Sequence, residues 1–316
     1  MTRIVALGEC MVEMAPTGPT AEYRMGFAGD TLNTSWYLRQ LLGPEDQVDY
    51  FTALCADSLS DQMMDFLTQA GIGTDHIIRR GDLTVGLYMI QLAEGERSFN
   101  YWRGQSAART LARDPAAVSH AIANSDVTYF SGITLAILPS QDRERLLDVL
   151  RQFRANGGSV VFDPNLRRRL WNSDDEMTSA VMAASAVSDI VLPSHEDETS
   201  WFGDTSPNAT AQRYAEQGAD IVVVKNGPGQ IVAITNGELS MHTPVNVANI
   251  VDTTAAGDSF NAGFIASTMQ GHNLAEAITA ASILAAQVIQ FRGALIQLPH
   301  PDIPMNIRDK WNSLRP

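Results

Sequence analysis

Hydrophobic and polar positions alternate along most of the chain between two kinds of segment. Strand-like apolar runs, rich in β-branched residues, lie at 3–7, 48–54, 126–130, 159–162, 189–192 and 221–225. Helix-like segments lie at 30–42, 58–70, 114–124, 140–156, 174–188, 209–217 and 274–291. Apolar strands that alternate with helices are the sequence form of βαβ units. They predict an α/β fold with a doubly wound, mostly parallel sheet and helices on both faces.

The region 84–104 departs from this alternation. Two strand-like runs flank the polar turn at 93–96, so the region is predicted to form a β-hairpin. Residues 10–27 are also non-helical and could add strands to the same small β-sheet. Such a sheet would stand over the carboxyl ends of the main strands as a lid; a role in subunit contact is a compatible alternative. We see no repeat or linker, so 1–316 is predicted to be a single domain.

Composition limits the partners of the chain. It has 316 residues, 45% of them hydrophobic, and no apolar run near the roughly 20 residues that a membrane span needs. A net charge of −14 argues against nucleic-acid and membrane-surface binding, because both need basic patches. Cys10 and Cys55 give neither a disulfide framework nor metal-ligand spacing. An acidic residue arrives too early for a secretory signal, so a cytoplasmic location is expected.

The stretch 252–261 carries the clearest chemistry and reads Asp-Thr-Thr-Ala-Ala-Gly-Asp-Ser-Phe-Asn. It places small residues and a carboxylate at the beginning of a predicted helix. The unpaired N–H groups of a helix N-terminus attract phosphate oxygens. Since phosphate repels a carboxylate, Asp258 is expected to have a chemical task, such as accepting a proton from an attacking hydroxyl. An ordinary helix cap is the alternative.

A polar segment at 163–167, Asp-Pro-Asn-Leu-Arg, directly follows the strand-like run 159–162. A strand that ends in polar residues directs side chains into the ligand crevice of such a sheet. Arg167 could therefore bind a carboxylate or phosphate through two parallel hydrogen bonds. A solvated basic cluster is the alternative, and it is favoured for Arg168 and Arg169.

Further candidates lie on the hairpin and after a later strand. Tyr88, Tyr101 and Arg103 are on the hairpin, where a hydroxyl beside an arginine suits a polar, anionic sugar, although packing is the commoner role of an aromatic residue. Residues 225–229, Lys-Asn-Gly-Pro-Gly, close a strand with two glycines, which lets backbone approach a nucleotide closely. His195 is expected to have a surface or capping role.

Together these stretches resemble the ribokinase-like carbohydrate kinases over nearly the whole chain. Residues 252–258 look like the C-terminal motif of this family, and residues 28–33, Ala-Gly-Asp-Thr-Leu-Asn, look like its N-terminal substrate motif. The segments that are most similar to family members acting on 2-keto-3-deoxy sugar acids are 8–13, 86–88, 101–109 and 163–167.

The resemblance implies a ribokinase-like fold and ATP- and Mg²⁺-dependent phosphorylation of a sugar's terminal hydroxyl, with Asp258 as the base. The catalytic loop around the γ-phosphoryl group would comprise Ala255, Ala256, Gly257 and Asp258. The residues implied for the sugar are Gly29, Asn33, Tyr88, Tyr101, Arg103 and Arg167. Those implied for the nucleotide are Ser194, Lys225, Gly227, Gly257, Gly293 and the neighbouring Ala294.

The substrate inference depends on the two arginines, Arg103 and Arg167, because a neutral sugar has no charge for them to neutralise. A 2-keto-3-deoxy sugar acid such as 2-keto-3-deoxygluconate is therefore expected, with the product phosphorylated at its 6-hydroxyl. A kinase of a neutral ketohexose such as fructose and a non-catalytic sugar-binding regulator are the alternatives. The expected partners are the sugar acid and the nucleotide, with no nucleic acid and no membrane, and the lid would join copies into a homo-oligomer.

Some positions differ from the family pattern. Ala28 and Ala255 replace common glycines, so these positions are either helical or extended, or the loop is altered. The family's Asn-x-x-Glu segment appears as 194–197, Ser-His-Glu-Asp, in which Asp197 would be a shorter carboxylate near Mg²⁺. The surroundings of Asp252 could also hold a monovalent cation such as K⁺.

Overall fold

A large, mostly parallel β-sheet forms the centre of the fold. The computed structural model describes residues 1–18, 22–93 and 96–298. Its strands are β1 (Arg3–Leu7), β2 (Met11–Pro16), β3 (Tyr23–Ala28), β4 (Gln47–Phe51), β5 (Ala53–Cys55), β6 (Ile78–Arg80), β7 (Leu87–Ala93), β8 (Glu96–Trp102), β9 (Val127–Ser131), β10 (Ser159–Asp163), β11 (Ile190–Val191), β12 (Ile221–Val224), β13 (Ile231–Thr235) and β14 (Glu238–His242). Its helices are α1 (Asp30–Leu41), α2 (Ser58–Gln69), α3 (Pro115–Ile122), α4 (Gly132–Ile137), α5 (Ser140–Ala155), α6 (Asp174–Ser185), α7 (His195–Phe202), α8 (Pro207–Glu216), α9 (Ala256–Met269) and α10 (Leu274–Val288).

The strand order of the large sheet is β14-β13-β12-β11-β10-β9-β1-β4. Neighbouring strands from β12 to β4 are parallel, whereas β13 pairs antiparallel with both of its neighbours, β12 and β14. Successive side chains point to opposite faces of a strand, so Val5 and Leu7 of β1 join one hydrophobic core and Ile4 and Ala6 join the other. Helices α3, α5, α6 and α8 contribute to the first core, and α1, α2, α9 and α10 contribute to the second. The predicted doubly wound fold with helices on both faces is therefore confirmed.

A separate small sheet is also present, with the order β3-β2-β7-β8. The predicted hairpin is formed by β7 and β8, which pair antiparallel; its turn at 94–95 lies outside the described residues. Tyr88 and Ile90 of β7 share a small hydrophobic cluster with Ala294, and Ala255 packs against the same cluster. The small sheet therefore lies against both the start of α9 and the loop that follows α10.

Helices α1 and α9, which border this region, begin without a side-chain cap. Asn273 and Glu276 form a reciprocal capping box at the start of α10, as many helices do. By contrast, α1 begins after Gly29 and α9 begins after Ala255, and neither of these preceding residues makes a side-chain capping bond within the described part of the chain. The N-terminus of α9 consequently keeps backbone N–H groups that can serve a ligand, whereas at the start of α1 the Asp30 carboxylate accepts the Thr31 N–H at 2.9 Å.

The structure differs from the sequence prediction at several places; helices α4 and α7, for example, were not predicted. The predicted single strand at 48–54 is divided, because β4 stays in the large sheet while β5 leaves it to pair with β6. The β13–β14 hairpin was not predicted, although its Asn236-Gly237 turn, with both φ angles positive, is a standard hairpin signal. None of the described helices is long and apolar enough to cross a membrane. The single domain over 1–316 stays a prediction, since 299–316 lie outside the described residues.

Candidate active site

Side chains from four elements meet at the carboxyl end of the large sheet. Asp163 is the last residue of β10, and Lys225 directly follows β12. Asn33 lies in the first turn of α1, and Asp258 lies in the first turn of α9. Ligands bind at this edge in doubly wound folds. The fold thus brings the two sequence motifs together at the place that favours a ligand.

The start of α9 has the geometry of an anion site. Ala255, immediately before the helix, has a φ of 60° and a ψ of 17°, a left-handed conformation that costs alanine about 1 kcal/mol. The Ala256 N–H donates to the Thr253 carbonyl at 3.2 Å. Helix geometry leaves the N–H groups of Gly257 and Asp258 without intrahelical acceptors. Of the predicted anion-hole donors, these two are the ones that the local fold leaves for a ligand.

Asp258 is held in an environment that favours its protonated form. Its Oδ2 accepts a hydrogen bond from Asn33 Nδ2 at 2.7 Å. Burial, followed by the charges of Asp30 and Asp163, raises the pKa of Asp258 to about 8 against the opposing effects of Asn33 and Lys225. A pKa near the working pH suits a group that must accept a proton and later release it.

The first turn of α1 supplies the predicted sugar side. A Cβ atom on Gly29 would lie 2.3 Å from the Glu9 carbonyl oxygen, so the close approach of two backbone segments requires glycine here. Asp30, the next residue, accepts a hydrogen bond from Asn165 Nδ2 at 2.7 Å. Ala28, which replaces a family glycine, is the buried last residue of β3 and is simply extended. The two substrate motifs are thus joined by a direct contact between Asp30 and Asn165.

One arginine of the hairpin region is paired with a carboxylate of the protein. Arg103 is 9% exposed and forms an ion pair with Glu9, which also accepts a hydrogen bond from Ser106. Arg103 Nε has no hydrogen-bond partner among the described residues. Tyr88 donates to Glu13 and packs against Tyr101 with ring centroids 5.7 Å apart. Burial raises the pKa of Tyr88, so its hydroxyl stays a donor.

Arg167 has a different acidic partner. Its side chain is half exposed, and Nη1 donates to Asp197 Oδ2 at 3.3 Å and to the adjacent Leu166 carbonyl at 2.8 Å. Burial raises the pKa of Asp197, and Arg167 opposes this rise. The two arginines predicted to share one sugar carboxylate therefore each contact a separate carboxylate of the protein.

Lys225, a residue predicted to bind the nucleotide, lies beside Asp163 and the start of α9. Its Nζ contacts Asp163 Oδ2 at 3.1 Å and Asn261 Oδ1 at 3.0 Å. A Cβ atom built on Gly257 would be 3.6 Å from the same Nζ, which places the ammonium group beside the start of α9. Ser194, the residue before α7, pairs with Lys225 through an isolated parallel bridge. Ser194 and Lys225 thus lie on adjacent backbone segments at this edge.

The remaining residues predicted to bind the nucleotide include two glycines with positive φ angles. Gly227 has a φ of 51° and Gly293 a φ of 92°, conformations that favour glycine. The Gly293 N–H donates to Asp252 Oδ2 at 2.8 Å, while Asp252 Oδ1 accepts from the N–H and the hydroxyl of Thr254. Asp252 therefore fastens the loop after α10 to the loop before α9. His195, the first residue of α7, contacts Thr210 at 3.1 Å, which agrees with a structural role.

Sequence reasoning overlooked several residues of this site. Asp30, Asn165 and Asp163 lay inside quoted motifs but received no role. Asn261 lies three residues after Asp258 on α9, and this helical spacing was a usable signal because it places both on one face. Glu9 lies two residues after β1 and is 2% exposed. Its pairing with Arg103 joins positions 94 residues apart, which no local pattern indicates.

Comparison with known proteins agrees with this geometry. A family model described as pfkB family carbohydrate kinase matches residues 1–301. The chain is 40% identical over 302 residues to a 2-dehydro-3-deoxygluconokinase of Dickeya dadantii (strain 3937), covering 93% of this chain and 97% of that protein. It is 38% identical over 301 residues to a protein of the same name from Escherichia coli (strain K12), with the same two coverages of 93% and 97%.

The fold is also similar to that of a solved sugar-kinase structure. A protein assigned as ribokinase II from Escherichia coli, in complex with ATP and Mg²⁺, matches with a TM-score of 0.80 at 20% identity, covering 93% of this chain and 95% of that chain. At this identity the similarity concerns the fold. The family match and the 38–40% identity of the relatives show that this chain belongs to the pfkB family of carbohydrate kinases.

Proposed function

We propose that this protein transfers the γ-phosphoryl group of ATP to the terminal hydroxyl of 2-keto-3-deoxygluconate and forms its 6-phosphate. The observation that carries the proposal is the position of Asp258, whose carboxylate lies at an anion-binding helix start and has a pKa near 8. The relatives with 38–40% identity are named for this activity, and the match extends over almost their full length.

In the proposed reaction Asp258 accepts the proton of the sugar hydroxyl as that oxygen attacks the γ-phosphorus atom. Asn33 fixes the orientation of the carboxylate from the sugar side. The Gly257 and Asp258 N–H groups and the Lys225 ammonium group stabilise charge that spreads over the phosphoryl oxygens. ADP then leaves, and the proton passes from Asp258 to solvent.

The acidic groups on the phosphate side fit a Mg²⁺ ion held mainly by the nucleotide. Among the described residues no cluster of three or more His, Cys, Asp or Glu side chains could enclose a metal. Asp163 and Asp197, which would face such an ion, both have cationic partners here. Mg²⁺ commonly keeps several waters and binds through substrate phosphates, where it neutralises their charge. K⁺ beside Asp252 remains a prediction, and both oxygens of that carboxylate already accept hydrogen bonds.

The acidic substrate is supported by Arg103 and Arg167. Arg103 keeps a buried Nε–H without a partner among the described residues, which a substrate carboxylate could accept from. Arg167 is half exposed and can reorient around Asp197. A hydroxyl of a neutral ketohexose is a weaker acceptor for the Arg103 Nε–H than a carboxylate oxygen, which is the reason we place fructose second.

A coupled assay of ADP formation tests this proposal. The panel contains 2-keto-3-deoxygluconate, 2-keto-3-deoxygalactonate, fructose and ribose. We expect kcat/KM to be at least 100-fold higher for a keto-deoxy acid than for either neutral sugar. Asp258→Asn should still bind the sugar acid while turnover falls by about a thousandfold or more. Equal use of fructose would support the ketohexose alternative, and sugar binding without turnover in the wild type would support a regulator.

We also propose that the small sheet joins two copies of the chain in the cytoplasm. Its edge strand β8 exposes Tyr101 and Trp102 by 50% and 57%, and aromatic residues are enriched in subunit interfaces. Both cysteines are free and buried, as a reducing compartment allows. Light scattering of Trp102→Lys tests the dimer: a wild-type dimer that becomes monomeric supports it, and a monomeric wild type contradicts it.

A further inference from the structure

The ammonium group of Lys225 is held by two polar side chains, Asp163 and Asn261. Asp163 Oδ2 lies 3.1 Å from Nζ and Asn261 Oδ1 lies 3.0 Å from it, while Asn261 Nδ2 donates to the same Asp163 oxygen at 2.7 Å. The Lys225 and Asp163 side chains are only 13% and 6% exposed. The three groups thus form a closed triangle of hydrogen bonds.

A second set of contacts prevents Asp163 and Asn261 from moving away. Asp163 Oδ1 accepts the Asn165 N–H at 3.1 Å, which fixes the other oxygen of the same carboxylate. Asn261 Nδ2 also donates to the buried Tyr129 hydroxyl at 3.1 Å. The position of the lysine is therefore set by groups that are themselves fixed on β9, β10 and α9.

This ammonium group lies beside a second source of positive charge. Its Nζ is 3.6 Å from a Cβ position on Gly257, at the start of α9, where the helix dipole is positive. Asp163 offsets the repulsion on one side. On the other side, the ammonium group and the helix start present positive charge to the same space. A phosphoryl group between them would satisfy both.

We propose that Asp163 and Asn261 are positioning residues that hold Lys225 against the transferring γ-phosphoryl group. Lys225 then acts mainly when charge spreads over the phosphoryl oxygens, and contributes less to binding of ADP. This inference rests on the proposed kinase function. It assigns to Asp163 an effect on kcat that is exerted through Lys225.

Asp163→Asn is the most selective variant for a test. It keeps the size of the side chain and the oxygen that accepts the Asn165 N–H. It replaces Oδ2 by an amino group, which would face two donors, Lys225 Nζ and Asn261 Nδ2. Asp142→Asn is the matched control, because Asp142 is also a buried acid with a cationic partner, Arg145, but lies on α5.

We expect Asp163→Asn to lower kcat about 10- to 100-fold. KM for the sugar acid and the Kd of ADP, by titration calorimetry, should change by less than threefold. The Kd of ADP with aluminium fluoride and the sugar acid, a mimic of the transferring group, should rise about tenfold or more. Lys225→Met should lower kcat by a similar factor. The Asp163→Asn/Lys225→Met double variant should lower kcat little further, because both substitutions remove the same interaction. Asn261→Ala, which keeps the ion pair, should show a smaller loss of the same kind.

Three results would overturn the inference. The first is an unchanged kcat in Asp163→Asn. The second is full recovery of kcat when the Mg²⁺ concentration is raised, since Asp163 would then act through the metal. The third is a loss that is not specific to the transferring group. It would appear either as an equal rise in the Kd of ADP and in the Kd of ADP with aluminium fluoride, or as additive losses of kcat in the double variant. If the wild type phosphorylates none of the sugars in the panel, the proposed function itself has failed, which the wild-type assay shows before any variant is measured.

Discussion

Replacing the proposed base should make the protein more stable while it destroys activity. In Asp258→Asn the Asn33 contact can persist, because an amide oxygen accepts the same hydrogen bond. The pKa of Asp258 is raised from its ordinary 3.8 to about 8, so the folded protein binds this proton more tightly than the unfolded chain. Ionisation of Asp258 therefore costs folding free energy. The cost is absent below about pH 4, grows as the pH rises, and is complete above about pH 8.

The size of the effect follows from the difference between the two pKa values. About four pH units correspond to roughly 6 kcal/mol at about 1.4 kcal/mol per unit, which is an upper bound. Asp258 is partly exposed, and solvent reduces the cost, so we expect Asp258→Asn to be more stable by about 2 to 4 kcal/mol at pH 8.5. At pH 5 most of this difference should disappear.

Urea unfolding of wild type and Asp258→Asn at pH 5 and pH 8.5 measures this difference. Asp57→Asn is a control of opposite sign, because the Ser60 N–H lowers the pKa of Asp57 and its ionised form favours folding. The Asp57→Asn variant should lose a little stability at pH 8.5 and not gain it. A stability difference for Asp258→Asn that is the same at both pH values would refute the argument, because only a titrating group produces the pH dependence.

Three further results are expected. In the wild type, kcat/KM for the sugar acid should rise with pH and level off above about pH 8, because Asp258 must be ionised to accept a proton; a profile that is flat from pH 6 to 9 would contradict this. Ala255→Gly should stabilise the protein by about 0.5 to 1 kcal/mol in urea unfolding and keep its activity, since glycine adopts a φ of 60° without strain; a loss of stability would show that the alanine methyl group matters more. Gly29→Ala should cost about 1 to 3 kcal/mol in the same assay and raise the sugar KM, because its Cβ would meet the Glu9 carbonyl; unchanged values would mean that the two segments separate easily.

Much of the fold could be predicted because its signals are local. Apolar runs such as Ile221–Val224 become buried strands, and the segments between them become helices on both faces. The same holds for Asp258, whose place at a helix start depends only on its neighbours. The hairpin was predictable from two runs around a polar turn. The division of 48–54 into two strands was not, because it depends on pairing with the distant β6.

The partners of the site residues were not predictable for the same reason. Sequence indicated two arginines for one ligand carboxylate, but it could not show that Arg103 pairs with Glu9 and Arg167 with Asp197. These pairings arise when loops from different strands meet at one edge of the sheet. Asn261 was predictable in part. Its helical spacing from Asp258 could have been read from the sequence, but its contact with Lys225 depends on the fold.

The ion pair between Arg103 and Glu9 changes how an acidic substrate would be recognised. Glu9 already compensates the charge of this guanidinium group, so a substrate carboxylate meets little uncompensated positive charge there. Selectivity at Arg103 would instead come from the hydrogen bond to its buried Nε–H: a carboxylate oxygen accepts this bond more strongly than a hydroxyl of a neutral sugar, by about 1 kcal/mol. A hydrogen bond at a buried group is only weakly screened by ions. The preference for acids should therefore persist in concentrated salt.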